Sequence, residues 1–192
     1  MSVENTSSVS VQHQQRSANP AVGTVLMQGS GCEPTQGTVK EIIQKENTTV
    51  EINEKAPLIA QREIFIRAPI ERVWKLQTTI DQWKDWHSEI SASALEGNLE
   101  VGSIFKWKSG GLTIVSTLRE IKPHETLAWT GKALGTTARH VWHFAMREGG
   151  TLVSTRESME GWLIALLKPI MPGFPEKSLG VWLENLKGAA EK

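Results

Sequence analysis

Two ionisable residues late in the chain are of the types that move protons. His140 stands in Arg139-His140-Val141-Trp142-His143-Phe144, and Glu157 in Thr155-Arg156-Glu157-Ser158. Both segments alternate as strands do, sending successive side chains to opposite faces. His140 and His143, three apart, therefore cannot form a simple paired site. His140 shares its face with Trp142 and Phe144, whereas His143 shares its face with Arg139, Val141, Ala145 and Arg147. The first set is more apolar, so His140 is expected inward and His143 outward. An inward imidazole with an ordinary pKa of about 6.5 can act as a general acid or base. It can equally be a hydrogen-bonded histidine of a cavity wall or core.

Glu157 shares a strand face with Val153, Thr155 and Met159, opposite Ser154, Arg156 and Ser158. If the apolar set points inward, Glu157 is a carboxyl in apolar surroundings with a raised pKa, able to give or take a proton. The alternative is an ion pair across strands with Arg139, Arg147 or Lys132, or a buried hydrogen bond that fixes the sheet.

Other residue patterns point away from chemistry. His124 lies in a Pro-His-Glu turn and is expected in water; His87, with Asp81, Asp85 and Glu89 near it in sequence, reads as a wet helix surface rather than a metal site. Ser109-Gly110-Gly111 and Glu148-Gly149-Gly150 are hairpin turns, because no Lys-Ser or Lys-Thr follows them as a phosphate cradle requires. There is no Gly-x-Ser-x-Gly elbow, and the single cysteine, Cys32, has no defined partner. No metal and no cofactor is expected.

The aromatic inventory is Trp 8, Phe 4 and Tyr 0, so tryptophan carries nearly all the large flat surface. Trp107, Trp129 and Trp182 come from two middle strands and a terminal helix, the elements that would surround a cavity. With Trp142, Phe144, His140 and Glu157 they are the candidate ligand contacts. Leu163, Leu166 and Leu167, followed by the Pro-rich stretch 168–173, could form a lid.

The elements that must position these groups can be read from periodicity. Leu58 to Arg67 alternates as a strand; Pro69 can start a helix over Ile70 to Thr78; Thr79 can cap a second, carrying Ile80, Trp83 and Trp86 or His87. Six strands follow, over 90–95, 103–108, 112–121, 126–133, 137–146 and 151–159, each closed by turn residues whose shortness favours antiparallel neighbours. Trp162 to Leu167 is a short apolar segment. From Pro175 a final helix places Leu179, Trp182, Leu183, Leu186 and Ala190 on one face, with Glu176, Lys177, Glu184 and Lys187 toward water. That helix must lay its apolar face on the sheet, and a curled sheet cannot touch a straight helix everywhere, so the gap is the expected pocket.

Residues 1–47 are rich in Ser, Gln, Asn, Thr and Gly and read as a flexible tail, with a possible helical turn over Thr38 to Lys45; the domain is expected over 48–192. Zero net charge and a pI of about 7 supply no field toward nucleic acid. No run reaches the roughly 18 apolar residues of a membrane span, and no basic, then apolar, leader opens the chain. A cytoplasmic protein without stable membrane insertion is expected; oligomeric state is left open.

Ala68-Pro69-Ile70-Glu71-Arg72-Val73-Trp74, Ile80-Asp81-Gln82-Trp83-Lys84-Asp85-Trp86, Ile121 through Trp129, and His140 through Phe144 followed by 150–158 and Gly161 occur in an order that resembles the START-like (SRPBCC) superfamily, of polyketide cyclase/dehydrase type. The resemblance implies an α+β helix-grip fold: a curled antiparallel sheet around a long C-terminal helix, with two short helices after the first strand. It also implies a cavity for a hydrophobic small molecule, whether lipid, polyketide-like or aromatic. Two alternatives accompany it: a cyclase or dehydratase using His140 or Glu157 for proton transfer, and a stress-related or chaperone-interacting domain. Whether a reaction occurs is not decided by these residues.

Overall fold

The structure is a computed structural model that describes residues 50–170 and 173–192. The expected tail over 1–47, its Thr38–Lys45 turn and Cys32 lie outside the described residues.

The chain runs β1 (Leu58–Ile66), α1 (Ile70–Thr78), a 3-10 turn (Ile80–Gln82), α2 (Trp83–Trp86), β2 (Ile90–Leu95), β3 (Ile104–Ser109), β4 (Leu112–Lys122), β5 (Thr126–Ala133), β6 (Thr136–Arg147), β7 (Gly150–Gly161), α3 (Trp162–Leu167) and α4 (Phe174–Ala190). The sheet is antiparallel throughout in the order β1-β7-β6-β5-β4-β3-β2. Consecutive strands from β2 to β7 are neighbours, joined by short turns except for the longer loop 96–103 between β2 and β3. Only β1 is paired out of sequence, with β7, because α1, the 3-10 turn and α2 carry the chain across to the far edge.

The pattern of apolar residues decides which side is filled. Partners across the ladder share a face: Leu118 opposes Trp129, Trp129 opposes His140, and His140 opposes Glu157. The register slips by one residue at Arg119, between Leu118 and Glu120, and again in β2 between Ile90 and Ala92. Such bulges bend and twist the bulged strand, which curls the sheet toward the helices. Against its inner face lie Val73 and Trp74 of α1, Trp83 of α2, and Trp182, Leu183, Leu186 and Ala190 of α4, all buried in one cluster with Phe105, Leu127 and Trp142. This is the helix-grip arrangement.

Several local expectations change. Thr79 does not cap the second helix, because its hydroxyl donates back to the Lys75 carbonyl at 2.7 Å. Lys187, partly exposed as expected, also donates from Nζ to the Phe65 carbonyl at 2.9 Å, tying α4 to β1. The stretch 50–57 lies over the outer face of β6 and β7, where Glu54 accepts two bonds from Arg156, at 2.7 and 2.8 Å, and Asn53 N–H donates to Ser158 Oγ.

Two kinds of glycine separate here. Gly161, joining β7 to α3, has φ +126°, and a Cβ there would strike the Gly135 carbonyl; Gly180, inside α4, would bring a Cβ into open space. Gly161→Ala is therefore expected to destabilise by at least about 2 kcal/mol, from collision and a backbone forbidden to L-residues. Gly180→Ala is expected to stabilise by about 0.5–1 kcal/mol, by restricting the unfolded chain and favouring helix. Urea unfolding of both variants measures the two shifts, and a loss in Gly180→Ala would show that α4 needs that glycine.

Candidate functional site

The inner face of β4–β7 is built from the residues expected there. His140 is 2% exposed and Trp142 and Phe144 are buried, whereas His143 is exposed on the opposite face, hydrogen-bonded to Thr126. Alternation along one strand sufficed for this assignment. Val141 departs from its expected setting: it points outward but is buried.

Around His140 the tryptophans meet. Its ring lies 4.7 Å from Trp129, 5.2 Å from Trp142 in a stacked arrangement, and 5.7 Å from Trp182 edge to face. Trp182, from α4, also meets Trp83 at 5.1 Å, Trp107 at 5.3 Å and Trp142 at 5.6 Å. These are ordinary contact separations for aromatic pairs. The space expected as a pocket is therefore occupied by indoles, and this corrects the expectation of an open cavity. Two shallow surface grooves lie elsewhere, one of about 270 Å³ between α1's start and the β6–β7 turn, and one of about 190 Å³ along α1. Trp107, Trp129, Trp142, Trp182, His140 and Glu157 are brought together. Phe144 is on the same face but packs at 5.2 Å against Trp74, farther toward α1. Trp107 is partly exposed, its indole N–H donating to Ser116 Oγ at 3.1 Å, and marks the open edge of the cluster.

The polar part of the site is a row across β6 and β7. His140 Nε2 and Thr155 Oγ1 share a hydrogen bond at 2.7 Å, and His140 Nδ1 faces Glu157 Oε1 at 3.6 Å, just beyond hydrogen-bond reach. Glu157 pairs with none of Arg139, Arg147 or Lys132. Arg139 instead reaches outward to the Glu51 carbonyl and Arg147 to that of Met146. Burial disfavours charge on both groups: it pushes Glu157 up to about 7 and His140 down to about 3. The expected roles therefore shift. His140 is neutral over the physiological range and suited to polarise or hold a proton position, while Glu157, its side chain 16% exposed, titrates where general acid–base chemistry is most effective.

Of the two settings open to His87, the apolar stripe of the second helix and a wet surface, the structure takes the first. His87 is not a wet surface residue but is 4% exposed, with its ring edge-on to Trp182 at 4.9 Å. Its place at the end of the Ile80, Trp83 stripe was the available signal, obscured by the acidic residues beside it. Gln77 is likewise fully buried, its Oε1 accepting from Trp182 Nε1 at 3.3 Å. Near the expected lid, Leu134, Trp162, Leu166, Ile170 and Phe174 are exposed. No group of three potential ligands for a metal ion occurs among the described residues, and no described helix is long and apolar enough to cross a membrane.

A family model described as polyketide cyclase/dehydrase and lipid transport matches residues 58–191. Similar solved structures include a hypothetical Helicobacter pylori protein, jhp0584, at 16% identity and TM-score 0.65, covering 74% of this chain and 98% of that one. The di-domain ARO/CYC BexL from the BE-7585A biosynthetic pathway has 17% identity and TM-score 0.56, over 73% of this chain and 52% of that one. Ara h 8.0201 has 14% identity and TM-score 0.56, over 69% and 97%. At these identities the likeness is one of fold. No curated protein matches.

The ionisation of Glu157 is directly measurable. A carboxyl whose pKa is higher folded than unfolded contributes stability that is complete below about pH 4.5 and is lost as pH rises through about 7. His140 works oppositely, its depressed pKa costing stability as pH falls from about 6.5 toward 3. Glu157→Gln removes only the first effect, so relative to wild type it should gain on the order of 2–3 kcal/mol between pH 4.5 and 8. Denaturant unfolding across that range reads the difference. A constant offset would mean that Glu157 ionises as it does in water.

Proposed function

The chain belongs to the polyketide cyclase/dehydrase and lipid transport family, and on that premise we propose that it binds a hydrophobic small molecule, lipid, polyketide-like or aromatic, against the inner face of its sheet. The observation that carries this reading is the continuous indole surface of Trp107, Trp129, Trp142 and Trp182, with His140 and Glu157 as polar points upon it. Because the rings touch, a ligand enters by replacing ring–ring contacts with ring–ligand contacts, and Trp107 at the partly exposed edge is where that exchange begins. Apolar area of the same extent is buried before and after, so the free energy of binding comes from the ligand's own dehydration.

Titration with a panel of fatty acids, naphthalenes and polyphenols should give saturable quenching or shift of tryptophan emission. Native mass spectrometry of protein from its own host should show a retained apolar molecule. A flat response to the whole panel would overturn the reading.

Glu157 favours a second reading, in which the bound molecule is also transformed by a cyclase or dehydratase step with Glu157 as the group that gives and takes the proton and His140 with Thr155 holding it in place. Replacing His140 and Glu157 together by Gln should abolish turnover of a polyketide-like substrate while binding persists; Glu157→Gln alone should lower it at least about 100-fold, the usual scale of one proton-transfer group. Unchanged turnover in the double variant removes this mechanism. The exposed apolar residues at α3 are the surface that a third reading, docking to another protein, would use.

A further inference from the structure

Several buried N–H groups beside Trp182 have no acceptor among the described residues. Gln77, in the last turn of α1, is fully buried; its two oxygens are used, the backbone carbonyl by Trp83 Nε1 at 2.9 Å and Oε1 by Trp182 Nε1 at 3.3 Å, but Nε2 meets no partner. His87 Nδ1 accepts the Glu89 backbone N–H at 3.2 Å, so in the neutral ring the hydrogen sits on Nε2. Burial lowers that imidazole to about 4, which keeps it neutral, and its Nε2–H is also unpartnered. Trp142 is 0% exposed, its ring 5.6 Å from that of Trp182, and its indole N–H completes the set. The Trp86 indole N–H, next to His87 in sequence, is in the same condition.

Unpaired buried donors are unfavourable, because they have given up their hydrogen bonds to water and received none in return. Native interiors hold few of them, and a concentration in one place calls for an explanation. The chemistry of this set is one-sided, since amide, imidazole and indole N–H groups can only donate here. Among the described residues, the side chains around Trp182 are Gln77, Trp83, His87, Trp107, Trp129, Trp142 and His140, and burial keeps both imidazoles neutral, so none is a cation. A carboxylate or phosphate would lose its hydration without a counter-charge. A neutral oxygen would not.

We propose that Gln77, His87 and Trp142 form a donor subsite beside Trp182 that takes a neutral acceptor oxygen, such as a ketone carbonyl, on the apolar ligand. This rests on the binding reading above and adds to it the functional group that is recognised. Trp182 is the ring these residues have in common, so a ligand that displaces it meets their N–H groups and releases Gln77 Oε1 from its present bond. The subsite lies on the helix side of the core, formed by α1, the end of α2 and β6. Glu157 on β7 is left to address a different atom of the same ligand.

The test uses the full-length protein and two probes of matched shape, 2-acetylnaphthalene and 2-isopropylnaphthalene, titrated by tryptophan emission and calorimetry. The ketone should bind wild type about tenfold more tightly, the scale of one net hydrogen bond. That preference should fall to about threefold or less in His87→Phe, which keeps a ring against Trp182, and in Gln77→Leu. Proton–nitrogen spectra of wild type do not depend on either variant folding. There the Trp142 indole and His87 Nε2–H signals should move downfield with the ketone but not with the hydrocarbon. Equal affinity of wild type for the two probes would overturn the subsite while leaving ligand binding intact, the donors then serving buried water only. A ketone preference that survives in His87→Phe without a shift at Trp142 would place the acceptor elsewhere and also overturn it. If neither probe nor any member of the wider panel binds, the binding reading fails and the subsite with it.

Discussion

A curled sheet and a straight helix touch along a line and leave a wedge of space between them, and the way this chain fills that wedge governs the rest of its structure. Trp182 projects from α4 into the gap and meets indoles from β3, β5, β6 and α2. Indoles suit the task because they are large, flat and few in rotamers, so they cover much area at modest entropic cost. The same ring anchors the helix and fills the space between helix and sheet.

Filling the wedge with aromatic carbon also sets the electrostatics. His140 and Glu157 face one another across two strands with rings on their sides and, among the described residues, no cation paired with either, so burial favours the uncharged form of each. An ion pair at that place would carry the desolvation of both partners, which their attraction rarely repays. The arginines of the same strands are engaged outside by Glu51, Glu54 and the β6 backbone. The outer face thus collects the charge and the inner face stays neutral, a separation that makes Glu157 sensitive to pH near 7.

The helix that carries Trp182 is not built for maximal rigidity. Gly180 sits two residues before it, in open space where alanine would fit, and each helical glycine gives up about 1 kcal/mol relative to alanine. Lys187 and Arg72 tie its C-terminal half to β1 and α1, whereas its N-terminal end follows α3 and a left-handed Gly173. The C-terminal half is tied to the sheet and to α1, and Trp182 stands buried at the middle of the helix.

Much of this was legible in the residues. The order of strands, the two short helices after β1 and the terminal helix followed from period and punctuation, because alternation and 3.6-residue spacing are local consequences of backbone geometry. The inward turn of His140 and the outward turn of His143 followed for the same reason. The sequence by itself therefore determined the order of the elements and the opposite faces of His140 and His143. It could not determine that the wedge is closed rather than open, that His87 is buried despite acidic neighbours, or that Glu157 rather than His140 titrates near neutrality. Those outcomes depend on distances between segments far apart in the chain, such as Trp182 to Trp107 or His87, and on what surrounds each polar atom once water has left. Only the tertiary structure decides them, because periodicity assigns a side chain to a face, whereas burial and charge depend on everything packed against that face.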